Sequence, residues 1–162
     1  MLGGKYLQPV ETLEAMAESD YARMALHLLD LAKPHASEAL IEVGCGTGAL
    51  FRSIVQHTGM ARVTGLDING FLLKEARALA VQEGRGQRLH FEEGSAEALP
   101  WPDNAFAVVY SWTVMEEVDA DRMLAELVQI AKPGGPRGGG RPRGRPWPVD
   151  QSAAACATQG ED

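Results

Sequence analysis

Cysteine is scarce in this 162-residue chain: there are two, Cys45 and Cys156, far apart in sequence. That excludes a disulfide framework and suits two free thiols in a reducing compartment. Histidine is also sparse. His27, His35, His57 and His90 show no metal-ligand spacing, so no metal site is expected. No serine–histidine–aspartate arrangement can be assigned. No apolar run approaches the roughly 20 residues needed to cross a bilayer. The N-terminus lacks the charged-then-apolar pattern of an export signal, which implies a cytoplasmic chain. Positive charge is in deficit, 15 Lys and Arg against 22 Asp and Glu, for a net charge of −7. That argues against a nucleic-acid surface on the folded part. What is abundant is apolar residue, 45% of the chain, enough to build the core of one modest domain.

The apolar residues alternate between two periods. Residues 11–17 and 21–32 have a helical stripe, the second with Ala22, Leu26 and Leu29, a cap at Ser19 or Asp20 and a stop at Pro34. Strands are predicted at residues 39–43, 62–66, 87–92 and 105–110. The helices between and after them are predicted at residues 49–57, 71–83 and 119–131. Strands separated by helices imply a parallel sheet with right-handed crossovers, whose ligands bind beyond the carboxyl ends of the strands. The fold class is therefore α/β, a Rossmann-like, doubly wound, mainly parallel sheet.

The most informative stretch is Leu40-Ile41-Glu42-Val43-Gly44-Cys45-Gly46-Thr47-Gly48. A buried strand runs into three glycines at alternate positions, and a helix follows. Glycines remove the side chains that would hold a ligand off the backbone. The helix N-terminus adds free N–H groups and a positive dipole end. Glu42, at the end of the strand, suits a cationic part of the same ligand. As simple turn residues these glycines need no ligand, but three alternating after an acid favour one. Gly44-Cys45-Gly46-Thr47-Gly48-Ala49 also satisfies the permissive dinucleotide form, so an NAD(P)-binding oxidoreductase is the competing reading.

The block from Glu42 to Gly48 resembles the first motif of class I S-adenosylmethionine-dependent methyltransferases. Gly65-Leu66-Asp67, the run from Gly94 through Pro100-Trp101-Pro102-Asp103 to Phe106, and Lys132-Pro133-Gly134-Gly135 extend the resemblance in order. It covers about residues 20–135, and small-molecule methyltransferases similar to those of ubiquinone and menaquinone biosynthesis are the nearest cousins. The resemblance implies S-adenosyl-L-methionine as cofactor, a small-molecule acceptor, and a seven-stranded sheet of which four strands are evident here. It implies a cofactor-binding set of Glu42, Gly44, Cys45, Gly46, Gly48, Asp67, Ile68, Ser95, Ala96 and Ser111. Asp67 would accept from the ribose hydroxyls, Glu42 would anchor the ammonium group, and Ile68 would wall the adenine. Ser95 stands where the family usually has Asp, and Ala107 replaces a frequent acid. Trp112 suits either the methionine arm or the core. Glu116 and Glu117 replace a frequent Glu-His or His-His pair and read more readily as a solvated helix start than as a base. No catalytic residue is assigned, because methyl transfer needs alignment more than side-chain chemistry.

After Gly135 the pattern stops. Residues 136–148 read PRGGGRPRGRPWP, and all but Trp147 are Pro, Arg or Gly, where the family has a strand. The segment can form neither helix nor strand. Such a run is what a GC-rich gene read out of frame would encode. The alternatives are a natural disordered tail and, weakly, an RGG-like RNA-binding arm. The expected organisation is an N-terminal helical segment or lid at 1–19, an incomplete SAM-binding methyltransferase domain at 20–135 and a disordered Pro/Arg/Gly-rich tail at 136–162. Strand four is then expected at an open edge. A non-catalytic binding remnant is the third functional reading.

Overall fold

The computed structural model describes residues 10–16, 23, 26, 27, 29, 30, 32–134 and 155–156, with the backbone alone at 16, 155 and 156. Among the described residues, five strands form one sheet: β1 (Ala39–Val43), β2 (Arg62–Asp67), β3 (Leu89–Glu93), β4 (Val108–Ser111) and the two-residue β5 (Ala155–Cys156), in the order β3-β2-β1-β4-β5. The first four are parallel. The helices are α1 (Val10–Met16), α2 (Ala49–His57), α3 (Gly70–Gln82) and α4 (Ala120–Ile130). The described residues from 23 to 32 include helical positions at 23, 26, 27, 29, 30 and 32, in the place where a helix was expected.

The two-residue period of β1 sorts its side chains onto two faces. Leu40 joins a core layer with Phe51, Ile54 and Val55 of α2 and Leu73 and Ala80 of α3. Ile41 and Val43 join a second layer with Met123, Leu127 and Ile130 of α4. Both faces of the central strand are thus covered, which is why it reads as an apolar run. Asn69 caps α3 by accepting from the N–H groups of Phe71 and Leu72 at 3.1 and 3.4 Å. Asp119 caps α4 by accepting from Arg122 N at 3.1 Å. Each cap satisfies donors that the first helical turn leaves unpaired. The order of the strands reverses between β1 and β4. The loops after these two strands therefore run in opposite directions and leave a crevice at the sheet's carboxyl edge.

Gly65, in the middle of β2, is there for space. A Cβ built on it would stand 2.7 Å from Cys45 Sγ and 2.7 Å from the ring of Phe51, both in the core. Gly65→Ala should therefore destabilise the fold by roughly 1–3 kcal/mol through overpacking. Chemical denaturation checks this, and an unchanged midpoint would show that the ring and the thiol move aside freely.

The edge of β4 differs from expectation. The Phe106 N–H donates to Ile130 O at 3.0 Å, and its carbonyl accepts from Lys132 N at 2.8 Å, so residues 130–132 cover the start of that edge. Farther along, Ala155 and Cys156 lie antiparallel to it, opposite Ser111 and Tyr110. The expectation of an open edge is corrected at these positions. The cause is general: a buried strand with unpaired N–H and C=O groups takes up backbone that can pair. Ala155 and Cys156 supply such backbone. The rest of the expected tail, the expected segment at 1–9 and 17–19, and the Ser19 or Asp20 cap lie outside the described residues.

Candidate functional site

The loop after β1 is a chain of left-handed turns. Gly44, Gly46 and Gly48 have φ of 80°, 54° and 72°, a region that disfavours any side chain. The loop is tied to the end of β2. Gly44 N and Cys45 N both donate to Leu66 O, at 2.7 and 3.0 Å. Gly46 N donates to Asp67 Oδ2 at 2.7 Å, and Asn69 N donates to Oδ1 at 2.8 Å. One carboxylate thus sets the position of the glycine loop and of the turn into α3. Burial raises the Asp67 carboxyl above its ordinary range, and the N–H groups of Asn69, Gly46 and Ile68 oppose that rise. Next to it, Ile68 is 69% exposed, an apolar side chain held in the open at the rim.

Glu42 lies beneath the loop and is buried. It faces Tyr110 across the β1–β4 ladder, and the Tyr110 hydroxyl donates to Glu42 Oε2 at 3.1 Å. Burial pushes the Glu42 carboxyl from its ordinary 4.5 up to about 8, against the Tyr110 hydrogen bond that lowers it; the charge of Asp67 adds to the rise. Burial also pushes the Cys45 thiol well up, so this sulfur is a small packed group and not a nucleophile. Ser111, at the end of β4, donates its hydroxyl to Val43 O at 2.7 Å and stitches the two central strands at the mouth of the crevice.

On the far side of β2, Gly94 N donates to Asp67 O at 3.0 Å, which brings the loop after β3 to the same edge. Ser95 Oγ accepts from Glu97 N at 3.1 Å and closes a tight turn; Ala96 is buried behind it. All ten residues of the expected set therefore come from the carboxyl edges of β1, β2, β3 and β4. Trp112 is buried and lines the cavity at the glycine loop, so the core and pocket roles coincide. Glu116 and Glu117 are exposed ahead of α4. Burial, with the charges of Asp67 and Glu116, raises Glu117. Among the described residues no three potential ligands gather to hold a metal ion.

Sequence reasoning missed Leu13, Glu14, Arg52 and Tyr110. Arg52 is a buried arginine inside the apolar face of α2, between Phe51 and Ile54. That interruption of the stripe was the available signal. Tyr110 sits in an apolar strand run and carries no signal of its own.

The cavity beside the loop is about 50 Å³ and is lined by Leu13, Glu42, Gly44, Cys45, Gly46 and Thr47, with Ala49, Leu50, Trp112 and Thr113. A loop with glycine at every second position, an acid below it, and a second acid with an exposed apolar neighbour at the strand end border a crevice at the carboxyl edge of the sheet. These features define an α/β nucleotide-binding domain of Rossmann type. Residues 40–135 match the family described as methyltransferase domain, more than half of the chain, and the chain belongs to that family. The cofactor of the family is S-adenosyl-L-methionine.

The chain is 39% identical over 97 residues to a ubiquinone/menaquinone biosynthesis C-methyltransferase of Brucella anthropi, covering 59% of this chain and 37% of that one. It is 37% identical over 97 residues to a sterol 24-C-methyltransferase of Gibberella zeae, with the same share of this chain and 25% of that one. The match therefore spans between a quarter and two-fifths of the length of these relatives. Among solved structures, a [4+2]-cyclase superposes with a TM-score of 0.63 at 27% identity, over 71% of this chain and 42% of that one. No helix among the described residues is long and apolar enough to cross a membrane.

Proposed function

We propose that this chain binds S-adenosyl-L-methionine in the β1–β4 crevice and transfers its methyl group to a small-molecule acceptor in the cytoplasm. The observation that carries the reading is the clamp of Asp67 on Gly46 N, which fixes a glycine-rich loop beside an acid with further lone pairs to offer. In this reading Asp67 accepts from the ribose hydroxyls while it holds the loop. Ile68 covers one face of the adenine, and the turn at Ser95 and Ala96 meets its edge. Ser95 Oγ already accepts one N–H, so its part at the adenine is weaker than that of a carboxylate. Glu42 supports the ammonium group from below the loop, Gly44, Cys45, Gly46 and Gly48 present backbone to the amino-acid arm, and Ser111 shapes the mouth. The bound sulfonium is an activated methyl donor, so the residues here orient, desolvate and hold charge. Isothermal calorimetry with S-adenosylhomocysteine and with NAD tests the reading. Binding of NAD alone would transfer the site to the oxidoreductase class.

A second reading, cofactor binding without transfer, is favoured by the similar structure that is titled a cyclase. A turnover assay with ubiquinone- and sterol-type acceptors separates the two.

Glu42 gives this reading a pH dependence. Below about pH 4.5 the carboxyl is neutral in folded and unfolded chains and costs nothing. Between 4.5 and about 8 the unfolded chain ionises while the folded one keeps its proton, so unliganded stability falls as pH rises. A cation over Glu42 favours the carboxylate and lowers its pKa. Binding of S-adenosylhomocysteine should then release close to one proton at pH 6–7, and affinity should rise with pH until about 8. Calorimetry in buffers of different ionisation heat measures the proton count. No release, with affinity flat across this range, would remove the ammonium group from Glu42.

A further inference from the structure

We propose that Thr113 is a strained hinge: its left-handed backbone holds Val114 against Gly44 in the unliganded chain, and a ligand that takes the place of Val114 lets the strain go. Thr113 lies just past β4 and has a φ of 59°. That region is an outlier for a β-branched side chain. Among the described residues, two other non-glycine positions share the sign of φ, Lys33 at 44° and Asn104 at 59°. Asparagine tolerates the region, and Lys33 ends a helical stretch ahead of Pro34, where left-handed residues are common. Neither explanation serves Thr113. Its hydroxyl donates to Trp112 O at 2.7 Å, a local bond that helps to hold the bend. On one side of the bend, Trp112 is buried and lines the cavity at the glycine loop, as Thr113 does. On the other side, Val114 Cγ2 fills the place that a Cβ on Gly44 would take.

Both ends of this segment are pinned. Ser111 is opposite Val43 in the ladder and bonds its carbonyl. Beyond the bend, the Glu117 N–H donates to Val114 O at 2.9 Å, and Met115 and Val118 pack on the second core layer. The surroundings, and not the preference of threonine, impose the left-handed turn. With Val114 seated, the cavity at the loop is about 50 Å³. That holds a water or two, whereas sites for cofactor-sized molecules run to roughly 300–1,000 Å³. A ligand that uses this face of Gly44 must displace Val114. Rotation of Thr113 to negative φ redirects the chain at that point and carries Val114 off Gly44. The strain released at Thr113 offsets part of the cost of uncovering Val114. A glycine or asparagine at 113 would fit the bend without strain and would hold the closed form more firmly. Threonine keeps that form shallow, so that a ligand can compete with it.

Three variants move the strain in opposite directions. Thr113→Gly and Thr113→Asn remove it, and Asn controls for the unfolded-state flexibility that Gly adds. Thr113→Val keeps the branch and loses the hydroxyl bond to Trp112 O. In the unliganded chain, the Gly and Asn variants should melt about 2–4 °C higher. Their Glu117 amide, whose bond to Val114 O breaks on opening, should exchange more slowly than in the wild type. Thr113→Val should melt lower and exchange faster at Glu117. Equal exchange at Glu117 in all four chains would overturn the hinge. Calorimetry with S-adenosylhomocysteine, which rests on the cofactor reading above, should show the reverse order. Whatever steadies the closed form opposes binding, so Gly and Asn should bind roughly fivefold more weakly and Val more tightly. Melting temperatures that move while affinity stays fixed, or that move in the same direction as affinity, would make the bend a packing feature alone and overturn the proposal. If the wild-type chain binds no S-adenosylhomocysteine, the cofactor reading fails, and the exchange at Glu117 still decides the hinge.

Discussion

Gly46→Val should abolish binding of S-adenosylhomocysteine while leaving the strands of the sheet in place. Position 46 has φ of 54°, where a β-branched residue is an outlier. Its Cβ would stand 3.3 Å from Leu13 Cδ1, and Gly46 and Leu13 both line the cavity at the loop. The substitution also displaces Gly46 N from Asp67 Oδ2, the hydrogen bond that sets the loop. Strain, contact and lost positioning act in the same direction. Circular dichroism should show the secondary structure kept, and calorimetry should show no heat of binding. A folded variant that still binds would mean that the ligand does not approach the loop at all.

Asp67→Ala should cost nearly as much. The carboxylate accepts from Gly46 N at 2.7 Å and Asn69 N at 2.8 Å before any ligand arrives, and in the proposed role it accepts from the ribose as well. A hydrogen bond to a charged group contributes about 1.5–3 kcal/mol, so loss of the ribose contacts alone should weaken binding more than tenfold. The freed loop adds to that. Asp67→Asn should fall between the two, because the amide oxygen can still accept from one N–H. Calorimetry on the three chains measures the series. Equal affinities would take Asp67 out of the site and leave it a purely structural clamp.

Much of this was legible because each element has a local cause. β1 lies at the predicted residues 39–43, where an apolar run meets glycine. α2 covers the predicted 49–57. α3 and α4 start within one residue of expectation, displaced because Asn69 and Asp119 serve as caps outside the helix. β4 was expected from 105 and its ladder begins at Val108. The first residues of the apolar run still pair, Phe106 with residues 130–132 and Ala107 N with Ala39 O at 2.9 Å, but outside the regular register. The carboxyl-edge residues were findable because motif and topology agree on them. The hydrogen bonds of Arg52 to Glu14 and Glu83 were not. Glu14 and Arg52 are 38 positions apart and Arg52 and Glu83 are 31 apart, and no period or motif links them. The pairing of Tyr110 with Glu42 depends on register between two strands that are not consecutive, which sequence alone leaves open. The partner of β4 near position 155 was hidden because the intervening composition denies any element.

The Glu42–Tyr110 hydrogen bond joins residues 68 positions apart, as does the bond from Ser111 to Val43. The crevice therefore has no local precursor in the chain. On a ribosome, the glycine loop and Asp67 emerge early, but the floor beside Glu42 is missing until Val108 to Ser111 have left the exit tunnel and docked on β1. Closing so long a loop comes late in folding. A nascent chain halted before β4 would carry the motif that sequence reading singles out first and would have no place to put the ligand. Occupancy of the crevice is for that reason a report on the whole sheet, and a fluorescent cofactor analogue added during translation would light up only after the fourth strand had arrived.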